Sequence, residues 1–265
     1  MKKLTLKEHK KVLVEILNFM TKKSLENNIN YSLIGGSLIG SIRHKGIIPW
    51  DDDIDVVLMP EEYEKLIKIL SVDEGEYKLL EPGKKGYFYP FAKLVDTRTM
   101  LNEKVTKNIP EYGSYVDIFQ YHYVSNNLIL RFIHYKILIL VKMFLASTTL
   151  SDQEIKNEKN ILKKIRNRVA SIIGMPHLMK MYLSLCNKKK KTNYIITNWP
   201  TYGFKKEIQK AKSLRKYEMV EFEGIKAMIT SDYDEVLTTT FGDYMKLPPE
   251  SQRKTHHEME VYWRD

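Results

Sequence analysis

Trp50-Asp51-Asp52-Asp53-Ile54-Asp55-Val56-Val57-Leu58-Met59 puts four carboxylates into five positions and passes at once into an apolar, β-prone run. Side chains alternate along a strand, so a strand over residues 54–59 entered through Asp53 turns Asp53 and Asp55 to one face and Ile54 to the other. Carboxylates spaced by about 6–7 Å repel, and an isolated pair takes up a proton. A divalent cation removes that conflict. Magnesium prefers oxygen ligands, commonly one or two carboxylates completed by substrate phosphates. The fold must therefore bring the start of this strand to an open site suited to phosphate chemistry.

Upstream, Gly35-Gly36-Ser37 stands between a short strand over 31–34 and a helix over 37–44. Glycine lets a ligand approach the backbone, and helix amides with a serine hydroxyl favour an anionic phosphate. Downstream, Asp117 is the one acid in the apolar run Tyr115-Val116-Asp117-Ile118-Phe119. A lone buried aspartate is costly unless paired or bound to metal. Each feature alone is also compatible with an acidic turn or a locally bonded side chain. Together, the glycine turn, Asp53 with Asp55, and Asp117 point to a metal site.

Apolar periodicity predicts a helix over 4–27 and another opened by Pro60-Glu61-Glu62 and running to about 70. Strands are expected over 91–95 and 115–121. The second half reads as helical over 127–146, 152–173 and 176–190. A hairpin over 220–229 turned at Glu223-Gly224 and a helix over 232–241 ending at Gly242 follow. The expectation is an α+β fold: a catalytic core over 1–125, and a mostly helical lobe over 126–265 whose C-terminal hairpin and helix pack on that core.

With 43% hydrophobic and 29% charged residues the chain can build an ordinary globular core, and its net charge of +10 favours polyanionic partners. The basic residues are dispersed without a reader motif, so no nucleic-acid partner is expected. Cys186 stands alone, which excludes an internal disulfide, and it reads as a buried thiol. With no secretory signal and no long apolar span, a cytoplasmic location is expected. His256-His257-Glu258 reads as surface or packing, since adjacent histidines poorly share one ion. His9 and His177 read as surface positions, and the run 188–191 as a solvated helix end. The stretch 128–146 has two readings. One is a core helix hairpin. The other is an interfacial helix at the inner membrane leaflet, with Phe132, Ile133, Leu140 and Phe144 rimmed by Arg131, Lys136 and Lys142.

Gly-Gly-Ser, an Asp-x-Asp and a further strand aspartate resemble the nucleotidyltransferase superfamily with the DNA-polymerase-β-like fold. The long gap from Ser37 to Asp53, filled by Arg43-His44-Lys45-Gly46-Ile47-Ile48-Pro49-Trp50, is similar to the LicD family of phosphocholine transferases, whose relatives include the fukutin-related proteins. So are Tyr89-Pro90-Phe91-Ala92-Lys93-Leu94, Val116-Asp117-Ile118-Phe119, Val220-Glu221-Phe222-Glu223-Gly224 and the segment 241–249. The resemblance implies a mixed sheet flanked by helices and Mg2+-dependent transfer of phosphocholine from CDP-choline. The acceptor is then a sugar hydroxyl on a glycan precursor of teichoic acid or lipopolysaccharide type, free or lipid-linked, and CMP is released. It implies Asp53 and Asp55 as metal ligands, Asp117 as third ligand or base toward the acceptor, and Asp51 as an outer ligand. Gly36 and Ser37 would hold the diphosphate, and Arg43, His44 and Lys93 would neutralise phosphate charge. Choline is commonly held by aromatic rings. Trp50 and Tyr89 are the best placed of a set that also includes Tyr87, Phe88, Tyr121, Tyr123 and Trp199. Two alternatives stay open: a nucleotidyltransferase modifying a small-molecule acceptor, and a transferase of another CDP-linked phosphoalcohol such as ribitol phosphate.

Overall fold

Thr5 opens the first helix by a reciprocal cap with Glu8, and α1 (Leu6–Glu26) buries Val12, Leu13, Ile16, Leu17 and Met20 on one face. The computed structural model describes residues 1–72, 75–102, 109, 111–187, 190–253, 255 and 260–264. Lys188 and Lys189 of the basic run, and His256, His257 and Glu258, lie outside the described residues.

After α1 come β1 (Ser32–Leu33), α2 (Gly35–Arg43), β2 (Asp55–Leu58) and α3 (Pro60–Leu70). Then follow β3 (Tyr77–Leu80), β4 (Ala92–Asp96), β5 (Thr99–Asn102) and β6 (Tyr115–Val124). The helices α4 (Leu128–Ser147), α5 (Asp152–Asn157), α6 (Ile161–Ile173) and α7 (Met175–Cys186) form the middle of the chain. The remainder is β7 (Tyr194–Thr197), α8 (Phe204–Glu207), β8 (Gln209–Lys210), β9 (Tyr217–Phe222), β10 (Ile225–Thr230), α9 (Tyr233–Phe241) and β11 (Glu260–Trp263). The α+β expectation holds at this level.

The central sheet has the order β1-β2-β6-β4-β3, with β2 and β6 parallel and the other neighbours antiparallel. The long β6 serves two groups of partners. Its first half pairs with β2 and β4, and its second half pairs with β7, which carries β8 at its far edge. Apolar side chains of α1, the sheet and the β9–β10 hairpin share one core. A second core joins α4, α6 and α7 through Leu138, Val141, Leu145, Ala170, Tyr182 and Cys186. The hairpin turns where expected: Glu223 and Gly224 both adopt positive φ, at 50° and 79°, which fits the twist of the paired strands.

Several expectations need correction. Strand β2 begins at Asp55, so Asp53 lies in the extended lead-in rather than on the strand. The helix expected over 152–173 is two, because Ser151 with Glu154 caps α5 while the Asn160 side chain accepts the Lys163 amide and starts α6. His9 is buried instead of exposed, beneath the acidic segment; burial pushes it down to about 4, with the Asp52 charge opposing. Strands β3, β5, β7, β8 and β11 have no counterpart in the sequence expectations. Cys186 is buried, as expected.

Candidate active site

The sheet order converts three distant sequence positions into one cluster. In the parallel β2–β6 pair Asp55 stands opposite Asp117, and in the antiparallel β4–β6 pair Lys93 stands opposite the same Asp117. The Asp117 amide donates to the Ile54 carbonyl at 2.9 Å, and the Asp55 amide donates to Ser37 Oγ at 2.9 Å. Ser37 is buried and fixes the start of β2.

Asp55, Lys93 and Asp117 open into a cavity of about 830 Å³. Asp51, Asp53, Asp55 and Asp117 line it together with Gly36, Arg43, Trp50, Tyr89 and Lys93. Ser37 and His44 are not among its lining residues; His44 packs edge-on against Trp50. The carboxylate oxygens of Asp51, Asp52 and Asp53 come within 4.8 Å of one another. Asp52 is buried and outside the lining, and its charge acts on His9 and Lys10 of α1.

The electrostatics fit a cation. Desolvation raises the Asp55 carboxyl well above the usual range, and Asp53, Asp117 and Asp51 add to the rise while Lys93 opposes it. Asp51 is pushed up to about 7, by desolvation first and then by Asp53. A set of crowded, partly desolvated oxygen donors is the composition that hard divalent ions select. Gly36 belongs to this crowding: a Cβ there would collide with the Asp51 carboxylate. Gly36→Ala is therefore expected to displace that carboxylate and lower turnover roughly 10- to 100-fold, with the melting temperature nearly unchanged. Parallel rate and thermal-melt measurements check this; a large loss of stability with normal turnover is the contrary outcome.

An aromatic wall flanks the acids. Phe91 and Phe119 pack at 4.4 Å between centroids, and Phe91 also touches Tyr89 and Trp199, at 5.2 and 5.7 Å. Two lysine ammonium groups already rest on these rings. Lys93 Nζ lies 3.4 Å from the Tyr115 centroid and 4.6 Å from Tyr89, and Lys142 Nζ lies 3.9 Å from Trp199. Of the sequence-selected aromatics, Trp50, Tyr89 and Trp199 line the cavity. Tyr87 and Tyr121 are core residues, Phe88 belongs to the second core, and Tyr123 lines a different cleft. Phe91, Tyr115 and Phe119 read in sequence as strand aromatics, and Tyr202 and Tyr244 fall outside the expected elements, yet all five line the cavity.

The loop 43–52 is held from three sides. Lys10 donates to the carbonyls of Ile48 and Pro49, each at 2.9 Å. The Ile47 amide donates to the Glu223 carboxylate at the hairpin tip at 3.0 Å, and Arg43 donates to the Tyr244 carbonyl at 2.7 Å. Segments 220–224 and 241–249 therefore meet the insert between Ser37 and Asp53 physically.

The chain is similar to known proteins. A family described as LicD/FKTN/FKRP, nucleotidyltransferase domain, matches residues 28–137. Over 271 aligned residues the chain is 33% identical to the lipopolysaccharide cholinephosphotransferase LicD of Haemophilus influenzae, covering 99% of each. An uncharacterized protein, RP689, of Rickettsia prowazekii is 49% identical over 45 residues, 17% of each chain.

Proposed function

We propose that this chain, which belongs to the LicD family, is a phosphotransferase that moves phosphocholine from CDP-choline to a sugar hydroxyl of a lipopolysaccharide- or teichoic-acid-type glycan precursor. The observation that carries the reading is the convergence of Asp51, Asp53, Asp55 and Asp117 with an aromatic wall in one open cavity. The acceptor oxygen forms a bond to the phosphorus that bears choline, the bond to the CMP oxygen breaks, and the hydroxyl proton leaves to a carboxylate or water.

Asp53 and Asp55, with Asp117 and Asp51 beside them, are the residues that would hold Mg2+. When bound, that ion draws charge from the phosphate oxygens and from the departing CMP. Lys93 holds the Asp117 carboxylate in place through a 2.5 Å contact. Arg43, which also lines the cavity, supplies positive charge toward phosphate. Rings that already accept two ammonium groups are electronically suited to a quaternary ammonium, which supports choline as the head group. Adjacent β2 and β6 carrying Asp55 and Asp117 support a polymerase-β-like nucleotidyltransferase core over 1–125, with 126–265 as the added lobe.

The test is donor choice. Purified protein with Mg2+ and a glycan acceptor is expected to release CMP from CDP-choline and to leave CTP and ATP intact. Consumption of CTP or ATP instead would identify a nucleotidyltransferase, and CMP from CDP-ribitol alone would identify another phosphoalcohol as the cargo.

A further inference from the structure

The helical lobe has a core of its own, yet two of its helices turn their most apolar faces away from it. On α4, Ile129, Ile133, Ile137 and Leu140 recur at steps of four, four and three, and all are exposed. Helix α6 is turned inside out. Its buried residues are Asn167 and Ala170, and Asn167 Oδ1 accepts hydrogen bonds from Ser147 Oγ and from Arg166. Its outward stripe is Leu162, Ile165, Val169 and Ile172, with Leu162 74% and Ile172 80% exposed. An amphipathic helix packed solely on its own protein places that stripe inward. Apolar surface left outside on neighbouring elements marks an interaction face.

Charge identifies what covers it. Neither α4 nor α6 carries an acidic residue. Lys136, Lys163, Lys164 and Arg168 are exposed among the apolar positions, with Lys159 and Lys180 exposed just outside these helices. A second copy of the same face would set these cations against one another, whereas anionic lipid headgroups neutralise them. Among the described residues no single helix is long and apolar enough to cross a membrane; α6 and α7 are apolar enough as a pair but bend by 96°. The geometry is that of helices lying in an interface, α4 extending about 30 Å along it.

We infer that the α4–α6 face docks on an anionic lipid bilayer, with its apolar side chains at the headgroup–acyl boundary and its lysines and arginine on headgroup phosphates. The inner side of α4 meets the cavity wall: Lys142 donates to the Pro200 carbonyl at 2.6 Å and lies over Trp199. One helix thus joins the lipid face to the cavity that receives an acceptor.

Vesicle flotation of the full chain tests this without reference to turnover, so its failure is distinct from failure of the transferase reading. Binding is expected on vesicles containing phosphatidylglycerol, roughly tenfold or more weaker on phosphatidylcholine alone, and reduced by salt. Leu162→Glu/Ile165→Glu should lower partitioning at least about tenfold with an unchanged circular dichroism spectrum. Should that variant misfold, Lys163→Glu/Lys164→Glu is read instead and should abolish the preference for anionic vesicles. No binding to either vesicle overturns the inference. So does a wild-type dimer that the apolar variant dissociates while vesicle binding is absent, since a second copy would then be the occupant.

Discussion

Asp55→Asn is expected to lower CMP release roughly 10³-fold while leaving the metal-free protein as stable as the parent or more so. Partial desolvation first, and then the charges of Asp53, Asp117 and Asp51, disfavour the ionised Asp55 carboxyl, so its charge opposes the fold until a cation is bound. An amide of the same shape removes that repulsion and removes a ligand at once. Thermal melts separate the two effects. Without divalent metal the variant should melt at or above the parent. With Mg2+ the parent should gain stability in proportion to the logarithm of metal over Kd, and the variant should not. A variant that melts well below the parent in chelator and still turns over would assign Asp55 a structural role and remove the metal site.

The acids were legible from sequence because a charged residue inside an apolar β run has few reasons to exist. Their partners were less so. The family resemblance implies Lys93 as a phosphate-neutralising group; its direct contact is Asp117, 24 residues away. That pairing exists because β4 runs antiparallel beside β6, a register no local period encodes. Gly35-Gly36-Ser37 does lie at the strand-to-helix junction, but as the first turn of α2 and not ahead of it, and the hydroxyl of Ser37 faces the Asp55 amide. Its direction depends on where β2 begins, and the sequence put that one residue early, at Ile54. Phe91, Tyr115 and Phe119 look in sequence like ordinary strand aromatics; they reach the cavity because they alternate onto the sheet face that carries Lys93 and Asp117. Strands β5 and β11 pair with each other away from the central sheet, which leaves little alternation to read. Helix α6 shows the limit most clearly. Periodicity reveals an apolar stripe, and only packing tells that the stripe faces outward. His9 fails for the converse reason: a polar position on α1 is covered by a loop from elsewhere in the chain.

Lys93→Met is expected to destabilise the protein by about 3–5 kcal/mol and to abolish turnover, because it leaves the Asp117 carboxylate buried without its cation. Lys93 is almost fully buried, its ammonium 2.5 Å from Asp117 and enclosed by Tyr115, Tyr89 and Phe91. Methionine keeps the length and apolar stem, so the loss reads the charge pair and not a cavity. Adding Asp117→Asn removes the orphaned charge; the double variant should recover most of the stability in urea denaturation and none of the activity. Lys93→Arg should rescue neither. A guanidinium is wider than an ammonium that sits 3.4 Å above the Tyr115 ring, and its planar fork has no room to reach Asp117 in the same line. The cycle is decisive because two roles for Lys93 diverge in it. If the lysine serves mainly to hold the Asp117 carboxylate in place, Lys93→Met must be the least stable of the set. If the single variant is as stable as the double, the pair contributes nothing to the fold, and Lys93 instead acts on bound phosphate alone.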